Sequence, residues 1–134
     1  MLTRSSQYAL QALIEITHHE KNGPVSRNFI AEKTQLPSKF LSKLLSDLVR
    51  AGILESRRGP GGGFILAHPA HEIPLFDIVS LYEKFTQKRC PFGNQECSDD
   101  HPCLAHPQWK QVLQTREAFF RTMTLADIAS DAVI

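Results

Sequence analysis

Residues 36–66 read LPSKFLSKLLSDLVRAGILESRRGPGGGFIL, and this stretch decides the fold. In its first half, large apolar side chains recur every three or four positions, which predicts an amphipathic helix over residues 39–51. Ser38 is predicted to cap this helix and Gly52 to stop it. The predicted buried stripe consists of Phe40, Leu41, Leu44, Leu45, Leu48 and Val49. The predicted outward-facing residues are Lys39, Ser42, Lys43 and Ser46.

The second half of the stretch predicts a β-hairpin. Residues 53–57 and 64–68 are predicted strands, and the glycine-rich residues 58–63 form the tip that joins them. Because glycine lacks a side chain, the backbone of this tip can approach a narrow groove of DNA, while Arg57 and Arg58 add positive charge beside it. A nucleotide-binding loop is excluded because neither a Lys-Ser or Lys-Thr pair nor a helix N-terminus follows the glycines. A basic hairpin at this position is typical of the wing of a winged helix.

Two helices are predicted before this stretch. Residues 3–19 form the first, and its apolar stripe is broad enough to contact a second element besides its own domain. Ser26 caps a short helix over residues 27–33, and a four-residue loop then leads to the next helix, as in a helix-turn-helix. Recognition helices meet base edges near their N-terminal end, where the helix dipole also favours phosphate. The predicted DNA-contacting residues are Arg27, Ser38, Lys39, Ser42, Lys43, Arg57, Arg58, Gly59 and Gly61. For the helix taken alone, a solvated polar face is the alternative.

The chain after residue 70 predicts three more helices. Residues 73–85 form a helix that covers the winged domain, residues 108–123 a long helix, and residues 125–130 a last short one. The long helix carries an apolar seam that one small domain cannot easily bury, so a symmetric homodimer is expected. The seam consists of Trp109, Val112, Leu113, Phe119, Phe120 and Met123. The predicted fold class is mainly α with a small β wing: a winged helix-turn-helix followed by a long C-terminal dimerisation helix.

All three cysteines lie within residues 88–106, KRCPFGNQECSDDHPCLAH. Proline and glycine deny this segment a long helix or strand, and thiolates beside an imidazole suit an iron-sulfur cluster or a zinc ion. An odd number of cysteines argues against a disulfide scaffold. The candidate ligands are Cys90, Cys97, Cys103 and His106. A reactive cysteine paired with His101 or His106 would need a supporting third residue, which the sequence does not offer, so neither an enzyme nor a small-molecule substrate is expected.

The chain has 134 residues, which is enough for one sizeable core. No apolar run reaches the length that crosses a bilayer, so no membrane association is expected, and reduced cysteines fit the cytoplasm. Up to residue 70, nine positive and five negative side chains give +4, whereas six positive and nine negative ones afterwards give −3, which places nucleic-acid contact in the first half. The predicted division is a DNA-binding domain over residues 1–70, a linking helix over 71–87, a cluster-binding loop over 88–107 and a dimerisation region over 108–134.

Five stretches carry a resemblance to a known family: LTRSSQYALQALIEI, LPSKFLSKLLSDLVRAGIL, RRGPGGGFIL, the cysteine segment ending CLAHPQW, and TLADI. Together they resemble the iron-sulfur cluster regulator family, homodimeric bacterial winged-helix transcription factors of the IscR and NsrR type. The resemblance implies that the protein binds double-stranded operator DNA. It also implies that Cys90, Cys97 and Cys103 supply cluster thiolates and that His106 completes a [2Fe-2S] site; a [4Fe-4S] cluster or a structural zinc is the alternative.

The resemblance implies a function as well. Cluster occupancy or oxidation state would report iron-sulfur supply, redox stress or nitric oxide and would alter binding to the operator. Three positions depart from the family pattern. The first two cysteines are separated by six residues, one more than in the IscR-like pattern, and Gln7 stands where NsrR-like members have an aspartate. Ser42 and Lys43 replace a Glu-Gln pair of the IscR-like recognition helix, so a different operator sequence is expected.

Overall fold

Most of the described residues are helical, and a two-stranded antiparallel sheet follows the third helix. The computed structural model describes residues 2–83 and 106–130. Its helices are α1 (Arg4–His19), α2 (Arg27–Thr34), α3 (Ser38–Arg50), α4 (Leu75–Val79), α5 (His106–Thr122) and α6 (Leu125–Ala129). Its strands are β1 (Leu54–Arg57) and β2 (Gly63–Leu66). Short 3-10 turns cover Glu20–Asn22 and Ala70–Glu72. The predicted fold class is confirmed, because three helices followed by a β-hairpin are the architecture of a winged helix-turn-helix.

The helix-turn-helix begins largely where the sequence predicts. The Ser26 hydroxyl accepts a hydrogen bond from the Phe29 backbone N–H at 3.1 Å, which confirms Ser26 as the N-cap of α2. The predicted cap of α3 is wrong: Ser38 is already helical, and Pro37 is the N-cap without any side-chain capping bond. Proline fits this place because it has no N–H to satisfy and its restricted φ suits the start of a helix.

One contiguous core joins α1, α3, the hairpin, α4 and the C-terminal helices. The predicted stripe of α3 is confirmed for Leu41, Leu44, Leu45 and Leu48, all of which are buried. Val49 is only partly buried, and the clear exception is Phe40, with 53% of its surface exposed. It lies at the edge of the stripe in the first turn of the helix, where an edge-to-face contact with Tyr8 of α1, at 6.2 Å between ring centroids, covers only part of the ring.

The hairpin pairs four residues on each side, from Leu54 opposite Leu66 to Arg57 opposite Gly63. Both strands are therefore shorter than predicted, although the backbone bond from Ala67 N–H to Ile53 O at 2.9 Å extends the pairing by one step. A further antiparallel bridge joins Phe64 to Val25, just before α2, through two backbone bonds of 2.8 and 2.9 Å. The wing is thus fixed to the start of the helix-turn-helix.

The helix predicted over residues 73–85 is wrong in length, because α4 covers only Leu75–Val79. Pro74 is its N-cap. The carbonyl of the preceding Ile73 accepts a hydrogen bond from the backbone N–H of Leu125, so this part of the chain pairs with the start of α6 and does not form a helix. Beyond Ser80 the backbone changes to the i to i−3 hydrogen bonds of a turn, because Tyr82 N–H donates to Val79 O at 3.0 Å. The end of the predicted helix, from residue 84, lies outside the described residues.

The C-terminal helices pack back onto the first part of the chain. The predicted long helix is confirmed as α5, which begins two residues earlier than expected. The predicted short helix is confirmed as α6, and Thr124 and Asp127 form a capping box at its start. α6 reaches α1, where His18 Nε2 lies 2.7 Å from Ala129 O. None of the helices in the described part of the chain is long and apolar enough to span a membrane.

Gly63 provides a test of the bridge between wing and α2. A Cβ at this position would lie 2.4 Å from Val25 O, whereas a Cβ at Gly61 would meet nothing within 4 Å; both glycines have positive φ, +155° and +75°. Gly61→Ala should therefore cost only the left-handed strain, about 1–2 kcal/mol. Gly63→Ala should cost roughly 2–4 kcal/mol, because the Val25 backbone must also move. Urea unfolding of both variants measures the difference, and equal losses would contradict this description of the wing.

Candidate nucleic-acid interface and cysteine segment

Arg27, at the start of α2, lies against the beginning of α3. Its Nη1 donates to the Ser42 hydroxyl at 2.7 Å and to the Ser38 hydroxyl at 3.4 Å. The structure therefore brings together three of the residues that the sequence predicts for DNA contact. Ser38 and Ser42 are one turn apart, and the guanidinium that joins them is itself exposed. Arg27, Ser38 and Ser42 thus place a guanidinium and two hydroxyls, all able to donate hydrogen bonds, on the surface of the helix-turn-helix.

The N-terminal half of α3 is the positively charged part of this surface. Lys39 and Lys43 are exposed and one turn apart, and the first turn of α3 contains no acidic residue. The positive end of the helix dipole therefore adds to the two ammonium groups. The first carboxylate of α3 is Asp47, one turn after Lys43. This half of the helix suits an anion such as a phosphate group.

The wing carries the other predicted DNA-contacting residues. Arg57, Arg58, Gly59 and Gly61 are all exposed, and β1 packs against α3, so the wing lies beside the same helix. Arg57 Nη2 lies 3.3 Å from Glu55 Oε2, and both side chains are more than half exposed, so this ion pair is weak. Gly59 and Gly61 have φ of +93° and +75°, which explains why the turn needs glycine there.

A polar cluster at the end of α4 was missed by the sequence analysis. Glu83 is only 8% exposed, and its carboxylate accepts hydrogen bonds from the Thr3 backbone N–H and the Ser6 hydroxyl. Arg116 of α5 donates to the same carboxylate at 3.3 Å. The sequence did hold one signal, because Glu83 follows the buried Val79 by four residues, and a carboxylate at that helical phase faces the core.

The neighbouring Tyr82 belongs to the same cluster. Its hydroxyl donates to Asp47 Oδ2 on α3 at 3.1 Å. Burial, followed by this hydrogen bond and the negative charge of Asp47, raises the pKa of Tyr82 well above its ordinary value. The hydroxyl therefore keeps its proton and acts as a donor throughout the physiological pH range.

The predicted metal ligands are not placed by the structure. Cys90, Cys97 and Cys103 lie outside the described residues, and of His106 only the backbone, at the start of α5, is described. In residues 2–83 and 106–130, no group of three or more His, Cys, Asp or Glu side chains could hold a metal ion. The cysteine segment, residues 88–106, begins five residues after Glu83 and ends at the first residue of α5. His106 precedes Arg116 by ten residues, or roughly 15 Å along a helix.

The helix-turn-helix, its basic face and the hairpin define a winged-helix transcription regulator. The chain belongs to the Rrf2 family: the sequence pattern of that family, described as an iron-dependent transcriptional regulator, matches residues 2–131. The predicted resemblance to IscR-type regulators is thereby confirmed at the level of the family.

Individual relatives agree with this assignment. The transcriptional regulator IscR of Serratia proteamaculans is 30% identical over 131 residues, which are 97% of this chain and 79% of that protein. Among solved structures, CymR, the global cysteine regulator of B. subtilis, has a TM-score of 0.82 at 26% identity and covers 99% of this chain and 98% of its own. IscR of T. potens has a TM-score of 0.79 at 28% identity and covers 99% of this chain and 88% of its own. These relatives are regulators and not enzymes, as expected for this chain.

Proposed function

We propose that this protein is a cytoplasmic homodimer that binds operator DNA under the control of an iron-sulfur cluster held by Cys90, Cys97, Cys103 and His106. A [2Fe-2S] cluster is favoured, and its state would report iron-sulfur supply, redox stress or nitric oxide. The observation that carries the proposal is the combination of a basic helix-turn-helix surface with three cysteines directly before α5. The family description as iron-dependent supports it. In this proposal residues 1–70, 71–87, 88–107 and 108–134 keep the roles expected from the sequence.

The donor set fits such a cluster. Three thiols and one imidazole within 17 residues match the number and softness of ligands that a [2Fe-2S] centre needs. A bound cluster would supply a redox-active centre that is sensitive to oxygen and nitric oxide. The chain's own contribution is the placement of His106 at the start of α5, so that ligation would act directly on that helix. A [4Fe-4S] cluster or a zinc ion would use the same donors and is an outcome of the test below.

DNA would be bound by two adjoining parts of each protomer. The N-terminal half of α3, with Lys39, Lys43 and the Arg27–Ser42 pair, would enter the major groove, and Arg58 and Gly59 of the wing would approach the neighbouring minor groove. The two elements can act together because β1 packs on α3 and the Val25–Phe64 bridge fixes the wing.

Dimerisation would use the exposed side of α5. Val112 is 53% and Phe119 is 50% exposed, and their spacing of seven residues puts both on one side of the helix. Large apolar side chains that remain this exposed on a helix are typical of an interface. A pair of α5 helices would also set the distance between the two α3 helices, which must match half-sites about 34 Å, one DNA turn, or a multiple of it apart.

Arg58→Ala tests the wing. If Arg58 contacts a phosphate, its loss should weaken binding to a duplex that the wild-type protein has selected from a random pool, and should lower the slope of log affinity against log salt by about one. Titrations at several salt concentrations measure both quantities. Lys21→Ala, which removes one exposed charge from the 3-10 turn Glu20–Asn22, is the control and should change neither. An unchanged salt slope for Arg58→Ala would remove the wing from the proposal.

Metal analysis tests the cofactor. Protein purified without oxygen should contain iron and acid-labile sulfide in about two equivalents each per chain, as a [2Fe-2S] centre requires, and should show visible absorption. Cys103→Ala should abolish the absorption, whereas Ser98→Ala in the same segment should keep it. Zinc without colour would support the structural-metal alternative. Colourless protein with neither iron, sulfide nor zinc would contradict any metal site.

Phe119→Glu tests the interface. A carboxylate at the centre of an apolar contact should shift the protein to monomer and weaken operator binding by at least tenfold, because each half-site then binds alone. Sedimentation velocity measures the oligomeric state, and Phe119→Leu is the control that should remain dimeric. A Phe119→Glu protein that sediments as a dimer would exclude this side of α5 as the interface.

A further inference from the structure

Tyr82 and Glu83 are consecutive residues, and between them they contact three helices. The Tyr82 hydroxyl donates to Asp47 on α3, and the Glu83 carboxylate accepts from the start of α1 and from Arg116 on α5. These contacts reach residues that are 35, 80 and 33 positions away in the sequence. These contacts also lie only a few residues before the cysteine segment, which begins at Lys88. Local helix formation at the end of α4 would need none of them.

Glu83 supplies a charge that α1 lacks. The first turn of α1 contains no acidic residue and begins with Arg4, which opposes the positive end of the helix dipole. Both carboxylate oxygens of Glu83 lie 3.2 Å from the Thr3 backbone N, and Oε2 lies 3.1 Å from the Ser6 hydroxyl. A buried carboxylate at this place stabilises the start of α1 in one orientation.

The link from Glu83 to α5 is a shielded ion pair. The side chains of Glu83 and Arg116 are 5% and 29% exposed, so water screens this pair less than it screens a surface pair. If α5 moves, the carboxylate must either follow the guanidinium or remain buried without that charge. Burying an uncompensated charge is costly, so the end of α4 should follow α5.

The link from Tyr82 reaches the recognition helix at a sensitive point. Asp47 lies one turn after Lys43, so it continues the side of α3 that carries the proposed DNA contacts, although its own side chain is only 21% exposed. The phenol ring connects this carboxylate to the end of α4. A displacement there is therefore transmitted to the middle of α3 by a hydrogen bond to a charged acceptor, which is stronger and more directional than an apolar contact.

We propose that Tyr82 and Glu83 are positioning residues that couple α5 to the recognition helix α3, so that the placement of α5 sets how well the N-terminal half of α3 fits DNA. The coupling runs from Arg116 through Glu83 and Tyr82 to Asp47. The coupling changes the affinity of this protein for DNA, and it does not depend on which metal, if any, the cysteines hold. If they hold a cluster, the two residues stand between the cluster segment and α3.

A double-mutant cycle tests the coupling. Tyr82→Phe breaks the contact with α3, Arg116→Gln breaks the contact with α5, and the third variant combines them. Each single variant should weaken binding to the wild-type-selected duplex by roughly fivefold or more, with an unchanged salt slope, because no phosphate contact is lost. The double variant should bind DNA with the same affinity as the single variant that binds less tightly, since one break already interrupts the path. Additive losses, or single variants with wild-type affinity, would overturn the proposal.

Controls separate positioning from a purely structural role. All titrations are made at a temperature at which circular dichroism shows every variant to be folded. Tyr8→Phe removes a phenol hydroxyl from α1, and Glu117→Gln neutralises a charged side chain next to Arg116 on α5; both should leave the affinity unchanged. Arg116→Lys keeps the positive charge and should restore most of the affinity lost in Arg116→Gln.

Amide hydrogen exchange gives an independent readout of the same path. Arg116→Gln should speed exchange in the second half of α3, although Arg116 itself lies on α5. Exchange that increases only near Arg116 would contradict the coupling. Because neither readout involves the cysteines, a negative result here leaves the cluster proposal standing, and absence of a cluster leaves the coupling standing.

Discussion

Burial of one face of α3 is the constraint on which the rest of the molecule depends. Leu41, Leu44, Leu45 and Leu48 are almost completely removed from water, and a helix with four buried leucines on one side has only one orientation in which its polar side is exposed. The lysines of that side face outward because the leucines face inward. The side of α3 that is proposed to contact DNA is therefore set by apolar packing.

The same packing determines where control over α3 can come from. Its buried side contacts α1, and the middle of the helix is joined by Asp47 to Tyr82 at the end of α4. α4 in turn contacts α5, where the Arg121 guanidinium lies 3.8 Å from the centre of the Phe76 ring. A few polar and cation–π contacts thus connect the helix-turn-helix to α5, and such contacts are directional and respond to small displacements.

The sequence predicted the features that depend on local periodicity. The leucine stripe, the Ser26 cap and the hairpin follow from spacing within a few residues, and the structure confirms them. Features that depend on distant partners were not predictable in this way. The helix predicted from residue 73 begins only at Leu75 because residues around Thr124 pair with the chain at Pro74. The Glu83 cluster escaped notice because its partners, such as Thr3, are far away in the sequence. The metal ligands lie outside the described residues, and their roles rest on donor chemistry and family resemblance.

In the proposed function, the N-terminal half of α3 and the tip of the wing together form the surface that binds DNA. Backbone amide chemical shifts, recorded by NMR before and after addition of the selected duplex, test it most directly. We expect the largest changes on residues 38–43 and 57–61, with smaller changes elsewhere in the winged domain. Changes concentrated on α5 and α6, with residues 38–43 and 57–61 unaffected, would contradict it.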